Sequence, residues 1–96
     1  MKLGQIVLSK CGRDKNKYFI VIGIDQNEEY IYLADGLVRK IDKPKKKKIR
    51  HVFPIDIDEE LSTKLYNDAK ICNSELKKLL SSVYQTNGRD FSKVLP

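Results

Sequence analysis

The chain of 96 residues has no tryptophan, one methionine, one histidine and two cysteines. Cys11 and Cys72 lie far apart, and only His51 could join them as a nitrogen ligand. With no Cys-x-x-Cys pair, a structural zinc site lacks donors, and no metal or cofactor is expected. Nothing supports a disulfide, and the cysteine usage fits a reducing compartment. Long apolar runs are missing as well. Met1-Lys2-Leu3-Gly4-Gln5-Ile6 opens neither a signal peptide nor a membrane span, so the expected location is the cytoplasm.

Catalytic constellations are also scarce. Cys11 sits beside basic residues and invites a nucleophile reading. A phosphatase loop would need Arg six positions later, where Lys17 stands, and its glycines are missing. A Cys11–His51 pair would have no evident carboxylate to orient it. No catalytic residue and no small-molecule substrate are expected, and the chain reads as a non-enzyme.

What the chain does have is positive charge in one place. Eight of the twelve residues from Arg39 to Arg50 are Lys or Arg, opposed only by Asp42. That segment carries +7 against +6 for the whole chain, so the remainder sums to −1. Such a density of cations repels itself unless an anion lies against it. Nucleic acid is the abundant cellular polyanion, and its phosphates would set the affinity of such a patch. A merely solvated lysine loop is the bland alternative. A nuclear-localisation reading suits a run embedded between predicted strands poorly. Lysines also attract anionic membrane, at about 1 kcal/mol each. No lipidation signal or basic amphipathic helix accompanies them, so no membrane partner is expected.

The periodicity changes near Pro54. Before it, short β-branched and aromatic runs predict strands at Gln5–Leu8, Tyr18–Ile24, Tyr30–Ala34, Leu37–Ile41 and Ile49–Phe53. Tyr18, Ile20, Ile22 and Ile24 would share one face of the second strand, with Phe19, Val21 and Gly23 on the other. Both faces are largely apolar, which makes that strand central. Gly23 suits a bend or a close backbone approach. Asp35-Gly36 signals a tight hairpin turn. Five short strands with tight turns suggest a strongly bent sheet or small barrel.

After Pro54 the chain reads as two helices. Asp56 and Asp58 are both N-cap candidates, and Asp56 with Glu59 has capping-box spacing. Leu61 and Leu65 fall at i and i+4. A second helix beginning near Asn73 or Ser74 carries Leu76, Leu79, Leu80 and Val83 as an apolar stripe and ends at Asn87-Gly88. Residues 1–55 are thus read as a β unit and 56–96 as a helical extension of the same compact body. Cys72, between the helices, is expected to be a small core residue.

A second basic segment precedes the first by sequence. Lys10, Arg13, Lys15 and Lys17 bring +4 against Asp14, between two predicted strands. Gly12 and Asn16 are the residues here that most readily adopt left-handed backbone. The pattern of Gly4, apolar alternation, Gly12, then Arg13-Asp14-Lys15 and a second apolar strand resembles the KOW motif. That motif occurs in ribosomal proteins and transcription factors. Asn16 stands where a third glycine is common, and Phe19 where many members carry another. Ala34-Asp35-Gly36-Leu37-Val38-Arg39-Lys40-Ile41, Pro44-Lys45-Lys46-Lys47-Lys48 and His51 resemble small bacterial KOW proteins related to large-subunit ribosomal proteins. The resemblance covers roughly residues 3 to 55.

For that part it implies an SH3-like five-stranded small barrel. With the two short C-terminal helices read from their periodicity, the expected fold is mainly β with an α appendage. The resemblance also implies RNA as partner, with ribosomal RNA or the ribosome as target. The candidate RNA-binding residues are Lys10, Gly12, Arg13, Lys15, Asn16, Lys17, Arg39, Lys40, Lys43, Lys45, Lys46, Lys47, Lys48, Arg50 and His51. RNA is favoured over DNA because no helix-turn-helix, zinc finger or basic zipper is present, and lysines between strands cannot form a major-groove helix. Whether the two basic segments share one surface is the structural question. Tyr30 and Tyr32 could stack on bases, but packing on the helices is the favoured reading, because their leucine stripe needs a partner surface. The competing reading is a protein-interaction module that uses the C-terminal helices, with the lysine loop meeting an acidic partner.

Overall fold

The computed structural model describes residues 1–87. Arg89 to Pro96 and the glycine of Asn87-Gly88 lie outside the described residues. The chain forms β1 (Gln5–Ser9), β2 (Tyr18–Ile24), β3 (Tyr30–Ala34), β4 (Lys45–Lys48) and β5 (Val52–Ile57), then α1 (Glu59–Tyr66) and α2 (Asn73–Asn87). All strand pairs are antiparallel, and the sheet order is β4-β3-β2-β1-β5.

That order dictates the curvature. β4 and β5 lie at opposite edges, yet only the 3₁₀ turn Ile49–His51 joins them. Flat, four strand spacings would separate the edges by roughly 19 Å. Three residues of 3₁₀ helix rise only about 6 Å. The sheet therefore curls until its edges face each other without pairing. The result is a mainly β, barrel-like unit, open between β4 and β5 and consistent with an SH3-like architecture, followed by two helices.

Curling gives the sheet two buried faces. Val7, Phe19, Val21, Ile31, Leu33 and Val52 fill the inside of the curve. Ile6, Leu8, Tyr18, Ile20 and Ala34 lie on the outside, covered by Leu61, Leu76, Leu80 and Val83 of the helices. β2 has both faces covered, as its unbroken apolar run implies. The register shift between Val21 and Gly23 changes the parity there, so Ile24 joins the inner cluster while Ile22 stays outside. The ring of Tyr32 lies over Gly23, the close approach that the missing side chain allows.

The helices form where their caps are. Asp58 accepts the Leu61 N–H at 2.8 Å, and Glu59 and Glu60 occupy the favourable first turn. Asp56 is not the cap, because β5 continues through Pro54 to Ile57 and takes Asp56 into the strand. Tyr84 on α2 ties the helix to the sheet. Its hydroxyl accepts the Tyr18 N–H at 3.0 Å, and the two rings meet edge-on at 4.9 Å. Burial first, and then the neighbouring Tyr84, raise the Tyr18 pKa above its ordinary value. Among the described residues no helix is long and apolar enough to cross a membrane.

Three expectations need correction. Leu37–Ile41 is not a strand. The Asp35 carboxylate accepts the N–H groups of Leu37 (2.9 Å) and Arg39 (2.8 Å), while Asp35 and Gly36 both donate to the Arg39 carbonyl. This side chain captures the donors a ladder would need, and the segment closes into a loop. The fourth strand is instead the lysine run itself, and the fifth starts at Val52 rather than Ile49. Cys72 is exposed in the connection between the helices, with its sulfur 3.0 Å from the Ser74 hydroxyl.

Candidate nucleic-acid interface

The alternation of a strand divides the lysine run into two pairs. Lys47 stands opposite Ile31, whose side chain is in the inner cluster, so Lys47 points inward and is 8% exposed. Its ammonium emerges at the mouth of the curled sheet. There it donates to the Ser9 hydroxyl and to the Cys11 carbonyl, both at 2.7 Å. β4 and β1 are three places apart in the sheet order, so these bonds span the open barrel. Lys45 follows the same parity and forms an ion pair with Asp14 of the β1–β2 loop.

Asp14 is the anion at the centre of this end. Its residue is 7% exposed. Burial would push its carboxyl up. The ammonium of Lys45, then the charges of Arg39 and Lys47, outweigh that effect and hold it below the ordinary carboxylate value. The β1–β2 loop itself is tightly folded. Ser9 and Lys17, and Ser9 and Asn16, are joined by backbone hydrogen bonds of 3.0 and 2.8 Å. Gly12 and Asn16 take the left-handed conformations expected of them, at φ 84° and 71°. The Lys10 N–H donates to the His51 carbonyl at 2.9 Å, which ties the loop to the 3₁₀ turn as well.

The other lysine pair faces outward. Lys46 and Lys48 stand opposite Tyr32 and Tyr30. Their ammonium groups lie 4.6 and 5.9 Å from the centre of the Tyr30 ring. A cation over an aromatic face gains roughly 0.5–1 kcal/mol at an exposed site. Tyr30 thus holds two like charges close together on an edge strand. The leucine stripe rests on Ile6, Leu8, Tyr18, Ile20 and Ala34, while Tyr30 lies beneath lysines.

The candidate residues therefore separate by role. Lys10, Arg13, Lys15, Lys17, Lys40, Lys43, Lys46 and Arg50 are exposed. Lys48, Arg39 and His51 are half-buried. Lys47 is buried and Lys45 is paired, so these two hold the architecture rather than offer free charge. The two basic segments are in direct contact, through Asp14–Lys45 and through Lys47 with Ser9 and Cys11. Gly12 adjoins the same ammonium: a β-carbon placed on it would sit 3.6 Å from Lys47 Nζ.

No model of a known protein family matches the chain, and no curated protein matches it.

Sequence reasoning missed Asp14 and Ser9 as partners of the lysines. Asp14 offered one signal: it is the lone acid in an otherwise basic loop. Ser9 offered none, since a serine at a strand end has many uses. Cys11 contributes its backbone carbonyl to this end of the molecule.

Proposed function

We propose that the chain is a non-catalytic, KOW-type RNA-binding module that works in the cytoplasm and docks on ribosomal RNA or the ribosome. The observation that carries this reading is the locking of the β1–β2 loop onto β4. Two basic segments distant in sequence become one unit, with Lys10, Arg13, Lys15, Lys17, Lys46 and Arg50 left exposed around it. Phosphates attract such an array without reading sequence. Arg13 and Arg50 add bidentate capacity that lysines lack. The resemblance of Gly4, Gly12 and Arg13-Asp14-Lys15 to the KOW motif supplies the preference for RNA.

The protein-interaction alternative would use the apolar stripe of the helices. Leu61, Leu76, Leu80 and Val83 are buried against the sheet, so that stripe is already covered.

The test is RNA affinity against salt concentration, with structured ribosomal RNA fragments and a duplex DNA control. Binding should weaken steeply with salt, with a slope corresponding to roughly five or more phosphates. Changing Lys15 or Arg50 singly to Ala should lower that slope by about one. Absence of binding at low salt would overturn the reading.

A further inference from the structure

Leu37 and Val38 are the two most exposed large apolar residues among those described, at 59% and 71%. They are not the loose tip of a floppy loop. The Asp35 carboxylate holds both Leu37 and Arg39 by their N–H groups, and the Arg39 carbonyl closes the loop on Asp35 and Gly36. Gly36 is buried against the first turn of α2, where a β-carbon would collide with the Asn73 carbonyl. The Asn73 side chain accepts the Ile41 N–H at 2.8 Å on the far side of the loop. The backbone that presents these two aliphatic side chains to water is thus fixed by a frame of hydrogen bonds.

The charge around them restricts what can cover them. Arg39 and Lys40 follow directly in sequence, and β3, which leads into the loop, pairs Leu33 with Lys45, the lysine bound to Asp14. The apolar tip therefore adjoins the basic end of the molecule. A partner must offer dense negative charge beside an apolar recess. A continuous RNA duplex offers the charge alone, since its base faces are stacked and its wide groove is lined by hydroxyls and polar edges. A bulge offers both, because an unstacked base or an opened step exposes aromatic faces next to phosphates. Apolar side chains enter opened base steps in other nucleic-acid complexes, and a loop whose backbone is already fixed loses little backbone entropy in doing so.

We infer that the Leu37–Val38 tip is an apolar wedge that selects irregular RNA, entering at a bulge while the neighbouring cations hold the flanking phosphates. This rests on the RNA-binding reading and adds a basis for selecting among RNAs.

The experiment compares two RNA hairpins of equal length and charge, one fully paired and one carrying a three-nucleotide bulge, with the wild-type chain and with the double variant L37S/V38S. The wild type should prefer the bulged hairpin by about tenfold, the scale of partly burying two aliphatic side chains. The double variant should bind both hairpins as the wild type binds the paired one, with an unchanged salt slope. V38I should keep the preference. Both substituted side chains are exposed, so thermal melting should place the double variant within a few degrees of wild type and exclude unfolding as the cause. Equal wild-type affinity for the two hairpins, or a preference that survives L37S/V38S, would overturn the wedge while leaving RNA binding intact. Loss on both hairpins together with a shallower salt slope would also overturn it, since the tip would then act through the charges. Failure of the wild type to bind either hairpin at low salt would remove the RNA-binding reading itself.

Discussion

Replacing Asp14 by Asn removes one charge and almost no volume from the point where the β1–β2 loop meets β4. Its consequence for stability follows from the surroundings. The Asp14 side chain is 10% exposed and that of Lys45 27%, so their ion pair lies between the exposed and the buried cases. Exposed pairs contribute roughly 0–1 kcal/mol. Removing one partner of a buried pair costs about 3–5 kcal/mol, because the other charge is left uncompensated. In D14N the uncompensated charge is Lys45, with the charges of Arg39 and Lys47 nearby. We expect a loss of about 2 kcal/mol at neutral pH, or roughly 10 °C in melting temperature for a domain of this size. K45M alone should cost less, since Asp14 keeps the charges of Arg39 and Lys47. The double variant D14N/K45M should be more stable than the sum of the two single losses implies, with a coupling of about 1–2 kcal/mol.

The pH dependence gives an independent check. The folded-state pKa of Asp14 lies below the reference value of 3.8, so the folded state favours the ionised form. The stabilisation is fully present above the unfolded value and is lost as pH falls through the folded one. The stability difference between wild type and D14N, measured by denaturant unfolding, should be constant from neutral pH down to about 5 and shrink below about 4. Equal midpoints for the two proteins at neutral pH would refute the assignment of Asp14 as the organising anion. So would a difference that persists unchanged well below the ordinary carboxylate range.

The parity of β4 makes a separable pair of perturbations. K45A/K47A should lower unfolding stability by a few kcal/mol, since it leaves the Asp14 carboxylate without its ion pair and breaks both bonds that tie β4 to the β1–β2 loop through Lys47. K46A/K48A should leave melting within a few degrees of wild type, lose only about 1 kcal/mol of cation–π contact, and reduce the salt slope of RNA binding by about two. Gly36 and Gly12 differ in a similar way. Both have left-handed backbone, at φ 79° and 84°, so an Ala at either is strained by roughly 1–2 kcal/mol. Only at Gly36 does the new methyl also meet backbone, the Asn73 carbonyl, so G36A should melt well below G12A.

The parts of this fold that could be read from sequence are those where one residue's environment repeats at a fixed period. The apolar runs of β1, β2 and β3 and the stripe Leu76, Leu79, Leu80, Val83 declare themselves because burial on one side imposes that period. Caps are legible too, though Asp56 and Asp58 offered two answers until β5 was seen to run on to Ile57. β4 was illegible for the opposite reason. Four lysines have no hydrophobic alternation, so the strand shows only in what they meet: Ser9 and Asp14 on one side, the Tyr30 ring on the other. Leu37–Val38 failed in the reverse sense. Its aliphatic composition resembles a strand, but the carboxylate two residues away takes the N–H groups a strand would use.

A run of cations counted in sequence is a sum, whereas an edge strand divides it. Lysines facing the mouth of the barrel join β4 to β1 and to the Asp14 loop, and they neutralise an internal anion. Lysines facing out keep their charge for solvent or a partner, and on an edge strand they also discourage pairing with another sheet. The first pair helps fix the second in place, since it anchors the free side of an edge strand whose other side is paired with β3. The residue best suited to fix the geometry of the basic end is thus an acid, Asp14. Its carboxyl is held below the ordinary carboxylate value, so it stays ionised, and keeps this role, at neutral pH.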